Sequence, residues 1–130
     1  MSAERQLDRV LRRAATDPDV LAVMLFGSVA RGEATTRSDL DVCLVLRGSR
    51  RSRHDLAAKR VTYLGDVDLD AQVFQDLPLY IRTRVLKEGR VLFCRDEDAL
   101  YEVAFTTIRA FERFKRTYRA YLDEVAHGRP

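Results

Sequence analysis

Two short apolar runs set the terms for any fold this chain can adopt. Val20 to Phe26 is continuously apolar and is followed at once by Gly27-Ser28. The run is far too short to cross a membrane. It shows no helical periodicity and stops on a turn dipeptide, so it reads as a strand buried on both faces. Leu40 to Leu46 is a second such run, broken only by Asp41. Strands of this kind must be covered by helices, and the flanking segments supply them. Leu7, Val10, Leu11 and Ala14 fall at helical spacing, which predicts a helix over Ser2 to Thr16 stopped by Asp17-Pro18.

Ser52 to Leu64 reads as a second helix. Ser52 and Asp55 form a capping-box-like pair, Leu56, Val61 and Leu64 make the apolar stripe, and Gly65 is the stop. Asp66 to Phe74 alternates, with Asp66, Asp68, Asp70 and Gln72 on one face and Val67, Leu69, Ala71 and Val73 on the other. That pattern is a half-buried strand with an acidic face. Asp76 is expected to cap a third helix, with Pro78 in its first turn and Gly89 just past its end, before a short strand at Val91 to Phe93. A long helical stripe, from Leu100 through Phe111, Phe114, Tyr118 and Tyr121 to Val125, follows the acidic start Asp96, Glu97 and Asp98. The order α-β-β-α-β-α-β-α implies an α/β (α+β) fold with a small mixed sheet. We expect one domain over residues 1–130, a core at 1–95 and a C-terminal helix at 96–126.

Composition narrows the function classes. The chain has 130 residues, 46% hydrophobic and 33% charged, an ordinary balance for a globular domain. A net charge of +3 does not by itself indicate nucleic acid. Arg47, Arg50, Arg51 and Arg53 crowd one stretch with Gly48, Ser49 and Ser52. It reads as a solvated loop, with a mobile basic flap near a polyphosphate or an acidic partner as the functional alternative. Cys43 and Cys94 sit in apolar runs without zinc-ligand spacing, so both are expected to be buried reduced thiols. The polar start Met1 to Asp8 carries no secretory signal, and a cytoplasmic location is the expectation.

The chemistry concentrates in Gly27 to Asp41. A strand delivers the chain to Gly27, where a missing Cβ lets backbone N–H groups approach an anion, and Ser28 adds a hydroxyl. A helix starting near Ser28 to Arg31 would aim its free N–H groups at the same point. Asp39-Leu40-Asp41 follows ten residues after Ser28. On an extended strand, Asp39 and Asp41 project from one face. Such crowding of carboxylates is costly without a cation, and oxygen donors with no nearby His or Cys suit Mg²⁺ or Mn²⁺. A third carboxylate comes from Asp66, Asp68 or Asp70. Asp70 lies deepest and is favoured, with Asp68 next.

These residues resemble a known family. Gly27-Ser28-x-Ala30-Arg31-Gly32 followed by Ser38-Asp39-Leu40-Asp41 is similar to the minimal nucleotidyltransferase (MNT) branch of the DNA-polymerase-β-like nucleotidyltransferases. Val85 to Phe93, an acidic patch and then a long aromatic helix extend the resemblance, over nearly the whole chain, to MntA-type antitoxins of HEPN–MNT toxin–antitoxin pairs. The resemblance implies two Mg²⁺ ions held by Asp39, Asp41 and Asp70. It implies ATP as substrate, with Gly27 and Ser28 holding the triphosphate and Arg31 or Arg37 neutralising it. Asp70 is also the candidate to take the acceptor proton. It further implies transfer of AMP from ATP to a tyrosine of a partner HEPN ribonuclease, which silences it.

At this length there is no room for a separate acceptor-binding domain, which favours a macromolecular acceptor that docks on the core. The aromatic stripe of the last helix would then serve in part for that partner, or for core packing and a homodimer contact. His54 and His127 stand alone, so no HEPN ribonuclease motif is present in this chain. The rival readings are an antitoxin that acts by contact without catalysis and a nucleotidyltransferase with a small-molecule acceptor.

Overall fold

The computed structural model describes residues 3–27, 41–48, 51–64 and 70–128. Its elements, in chain order, are α1 (Ala3–Thr16), β1 (Val20–Phe26), β2 (Asp41–Leu46), α2 (Arg53–Leu64), β3 (Asp70–Val73), a 3₁₀ turn (Phe74–Asp76), α3 (Leu79–Glu88), β4 (Arg90–Cys94) and α4 (Glu97–Ala126). The four strands form one mixed sheet in the order β3-β2-β1-β4. β1 runs antiparallel to β2 and β4, and β2 runs parallel to β3.

Both faces of the sheet are covered, as the two continuous apolar runs require. Val23, Leu25, Val42, Leu44, Ala71 and Val73 pack under Val10 and Ala14 of α1 and Leu56 and Tyr63 of α2. Ala22, Met24, Cys43 and Val45 face the other way, against Phe74 and Val85, with Ile81, Leu100 and Val103 beside them. The alternation along β2 therefore assigns each residue to one of two layers.

Several contacts that no periodicity announces lock one end of this sheet. The Arg95 side chain, just past β4, donates to the carbonyls of Ala14, Ala15, Asp17 and Val20 at 2.9–3.2 Å. A cation at the end of α1 satisfies carbonyls that the helix leaves open. Nearby, Lys59 of α2 bridges Asp17 and Asp19 at 3.1 and 3.0 Å, and the Tyr63 hydroxyl donates to Asp17 at 2.7 Å. Burial pushes the Asp17 carboxyl up. Hydrogen bonds from Tyr63, Lys59 and the Asp19 backbone, with the Lys59 charge, outweigh that and hold it below the ordinary carboxylate value. Hydrogen bonds from Lys59 and Arg51 lower Asp19 as well.

The helices depart from expectation in places. Val61 is 67% exposed, and the buried positions of α2 are Leu56 and Tyr63. Ser52 does cap α2, accepting from the Asp55 backbone at 3.1 Å. Asp76 does not cap α3. It ends the 3₁₀ turn, and Pro78 is the residue that precedes the helix. Leu77 stands before a proline, is barred from helical geometry and is extended at ψ 148°. Asp96 caps α4 through the Ala99 backbone N–H. Cys43 is buried, with its thiol pushed up by burial, whereas Cys94 is only half-buried, and both are free. Of the strand expected from Asp66 to Phe74, Asp70–Val73 is observed, Phe74 opens the turn, and Asp66 to Leu69 lie outside the described residues. Among the described residues, no helix is long and apolar enough to cross a membrane.

Because Asp17 and Asp19 titrate lower in the folded state than the unfolded value of about 4, their contribution is complete above that value and fades as pH falls through the folded values. Tyr63→Phe should therefore cost about 1–2 kcal/mol in urea unfolding at neutral pH. The deficit should shrink as the buffer is taken below pH of about 4, where Asp17 becomes protonated. A deficit that stays constant across that range would contradict the role of the Asp17 carboxylate.

Candidate active site

Asp41 is the first residue of β2, and it is flanked on both sides. Phe26 pairs with it from β1, and Asp70 pairs with it from β3. Cys43 and Val45, two and four residues on, belong to the layer under α3 and α4, so Asp41 projects toward that side. Ala71 and Val73 belong to the opposite layer, which places Asp70 and Gln72 on the same side as Asp41. The register thus brings two carboxylates onto one face of neighbouring strands, about 4.8 Å apart in backbone spacing. Both are only partly buried, at the point where the apolar runs give way.

Gly27 completes the corner. Its φ is +84°, a left-handed conformation that favours glycine. A Cβ built there would overlap Asp41 Oδ2 and lie 3.2 Å from Asp41 Cγ. The backbone therefore rests directly against the Asp41 carboxylate. The sequence assigns Gly27 to anion approach, and the geometry adds this second reason for glycine.

Asp70 is held by two donors that the sequence did not single out. Gln72 Nε2 donates to Asp70 Oδ1 at 2.9 Å, and Arg60 Nη2 lies 3.6 Å from the same oxygen. Gln72 was visible as a member of the acidic face. Nothing in the spacing of α2 marks Arg60, because its contact depends on how the helix lies along the edge of the sheet.

The remaining site candidates, Ser28, Arg31, Arg37, Asp39, Asp66 and Asp68, lie outside the described residues. Asp41 and Asp70 are oxygen donors of the kind hard divalent cations prefer, and the glycine leaves space at Asp41 that a side chain would fill. The residues present fit such a cation. Among the described residues no third His, Cys, Asp or Glu joins the pair.

A notch of about 160 Å³, lined by Phe26, Gly27, Ile81, Arg84, Val85 and Glu88, opens beside this corner. A cavity of about 510 Å³ lies at the other end of the sheet, by Leu21, Leu46, Arg47 and Arg82. Arg47 and Arg51 of the arginine-rich stretch belong to that far end. Arg47 follows the last residue of β2, roughly 17–20 Å along the strand from Asp41. The Arg51 guanidinium is tied to the Arg47 carbonyl at 2.9 Å and to Asp19 at 3.4 Å. These two arginines are not a flap over the carboxylates.

A sheet that sets paired carboxylates beside a glycine turn is suited to holding a divalent cation. Residues 8–98 match the family described as polymerase beta, nucleotidyltransferase, and the chain belongs to it. A protein of Methanocaldococcus jannaschii, described as a candidate protein adenylyltransferase, is 36% identical over 124 residues, covering 82% of this chain and 96% of that protein. A crystal structure of a toxin–antitoxin with AMP-PNP superposes with a TM-score of 0.66 at 21% identity, over 95% of this chain and 98% of the matched chain. A tri-AMPylated Shewanella oneidensis HEPN toxin in complex with an MNT antitoxin gives 0.63 at 17% identity, over 95% and 96% of the two chains. At these identities the two structures establish the shared fold.

Gly27→Ala and Gly48→Ala separate the backbone from the contact. Both glycines have φ +84°, but a Cβ at Gly48 meets nothing within 4 Å. Gly48→Ala should cost about 1–2 kcal/mol in thermal or urea unfolding, the price of a left-handed alanine. Gly27→Ala should cost more, because Asp41 must move. Equal losses in the two variants would show that Gly27 does not press on Asp41.

Proposed function

We propose that this protein is a Mg²⁺-dependent adenylyltransferase that moves AMP from ATP onto a tyrosine of a HEPN-type partner toxin and thereby neutralises it. The observation that carries the proposal is the pairing of Asp41 with Asp70 on one sheet face, with Gly27 pressed against Asp41. Support for the nucleotide and the acceptor comes from relatives. One is described as a candidate protein adenylyltransferase, one solved toxin–antitoxin carries AMP-PNP, and another contains an AMPylated HEPN toxin with its MNT antitoxin.

In the reaction the tyrosine hydroxyl gives up its proton, for which Asp70 is the candidate acceptor, its oxygen bonds to the α-phosphorus of ATP, the bond to the bridging oxygen breaks, and pyrophosphate leaves. Asp41 and Asp70, with Asp39, would hold the divalent cations. When bound, these ions supply charge neutralisation at the phosphates and favour the ionised acceptor hydroxyl. Gly27 and Ser28 would seat the triphosphate, and Arg31 would offset its charge. Positioning and electrostatics do most of the work in this class of chemistry.

Docking of a macromolecular acceptor has a surface available. In the outer half of α4, Phe114, Tyr118, Tyr121 and Val125 are each more than half exposed, so core packing does not account for them. Phe114 stacks on Tyr118 and Tyr118 on Tyr121, with centroids 5.9 and 6.5 Å apart. An exposed apolar stripe of this kind is suited to a protein partner.

With labelled ATP, Mg²⁺ and the product of the adjacent gene, label should appear on a tyrosine of that product if it is the HEPN-type partner. Asp39→Ala, Asp41→Ala and Asp70→Ala should each lower transfer by at least about 100-fold, the scale of losing an electrostatic stabiliser. Undiminished protection of cells from the toxin by Asp41→Ala would favour neutralisation by contact alone and overturn the catalytic reading.

A further inference from the structure

The third carboxylate carries a feature that the reaction as described does not use. Among the described residues β3 has only β2 as a neighbour, so Asp70 sits on an edge strand. An edge strand leaves backbone groups unpaired, and a side chain can satisfy them. Arg60 does so here: its Nε donates to the Ala71 carbonyl at 2.7 Å. The helix that carries it, α2, packs its Leu56 and Tyr63 into the layer opposite Asp70. Arg60 therefore reaches the edge from the far side of the sheet, and the bond to Ala71 fixes its guanidinium there.

From that position Nη2 lies 3.6 Å from Asp70 Oδ1. Gln72, two residues along the same face, donates to the same Oδ1 at 2.9 Å. The Gln72 hydrogen bond and the Arg60 ion pair both fall on Oδ1. A carboxylate gripped on one oxygen cannot rotate freely, and its other oxygen has a defined direction.

We propose that Arg60 and Gln72 are positioning residues that clamp Oδ1 of Asp70 and leave Oδ2 to the divalent cation. The inference rests on the reading of Asp70 as a cation ligand beside Asp41. It adds that the ligand is oriented before the ion arrives, by an arginine anchored to the backbone of the edge strand and by a glutamine on the same strand. Groups that orient a ligand in this way typically contribute 10- to 100-fold to ion affinity. Lysine at position 60 keeps the charge but loses the planar fork that joins carbonyl to carboxylate.

The test is Mn²⁺ affinity of the intact chain, read from the electron paramagnetic resonance signal of free Mn²⁺, with and without a non-hydrolysable ATP analogue. Unfolding midpoints are measured alongside. Arg60→Ala and Gln72→Ala should each weaken Mn²⁺ binding by about 10-fold, and Arg60→Lys should recover only part of the loss. In the transfer assay the same variants should need a proportionally higher Mg²⁺ concentration for half-maximal rate. Unchanged Mn²⁺ affinity in both alanine variants, while Asp70→Asn still loses the ion, would overturn the clamp and leave the cation site standing. Unchanged affinity in Asp70→Asn would instead remove the cation-ligand reading and the clamp with it. Variants that lower the unfolding midpoint without shifting Mn²⁺ affinity would show that Arg60 merely closes the sheet edge, which also refutes the proposal.

Discussion

Two like charges held on neighbouring strands repel each other, and the active end of this protein is arranged around that repulsion. The closer two carboxylates stand and the drier their surroundings, the greater that cost. The chain places Asp41 and Asp70 at the first residues of β2 and β3, where water still reaches them. One residue further along each strand, Val42 and Ala71 are fully buried. The carboxylates are thus fixed by a rigid, dry sheet yet remain accessible at its end. A bound cation would offset that repulsion, and Arg60 already brings a positive charge to the edge.

The two ends of the sheet divide the work. At the end where β1 begins, Arg95 gathers carbonyls from α1 and from the turn into β1, and Lys59 with Tyr63 ties α2 to Asp17. These contacts hold both helices against the sheet without touching the carboxylates. At the end where β1 stops, Gly27 turns back against Asp41, and a notch opens between Phe26 and α3. The corner at Asp41 combines close approach with an open face. Its precision comes from strand register, which shifts a side chain to the wrong face if it slips by one residue.

Much of this was legible in the sequence because burial leaves a periodic trace. The run from Val20 to Phe26 is β1, and alternation after Asp66 put Asp70 and Gln72 together on one face. The long stripe that ends near Ala126 is α4. Alternation alone does not choose among Asp66, Asp68 and Asp70, since all three share a face, and Asp66 and Asp68 lie outside the described residues. The parallel register sets Asp70 opposite Asp41. Contacts between distant segments left no trace at all. Arg95 bonds carbonyls some 80 residues upstream, and Arg60 meets Asp70 only because α2 lies along the β3 edge. Val61 stands about 140° around the helix from Leu56, whereas Tyr63 is within about 20° of it, and the sheet covers the Leu56–Tyr63 side. For Asp76, the rule that bars helical geometry before proline outweighs the residue's preference for a cap.

The most direct measurement is a crystal structure of the chain soaked with Mn²⁺ and a non-hydrolysable ATP analogue, with the ions located from their anomalous signal. The account predicts an ion about 2 Å from a carboxylate oxygen of both Asp41 and Asp70, with the triphosphate running past Gly27. Ions that bind elsewhere, or a triphosphate seated by the arginines at the other end of the sheet, would contradict it.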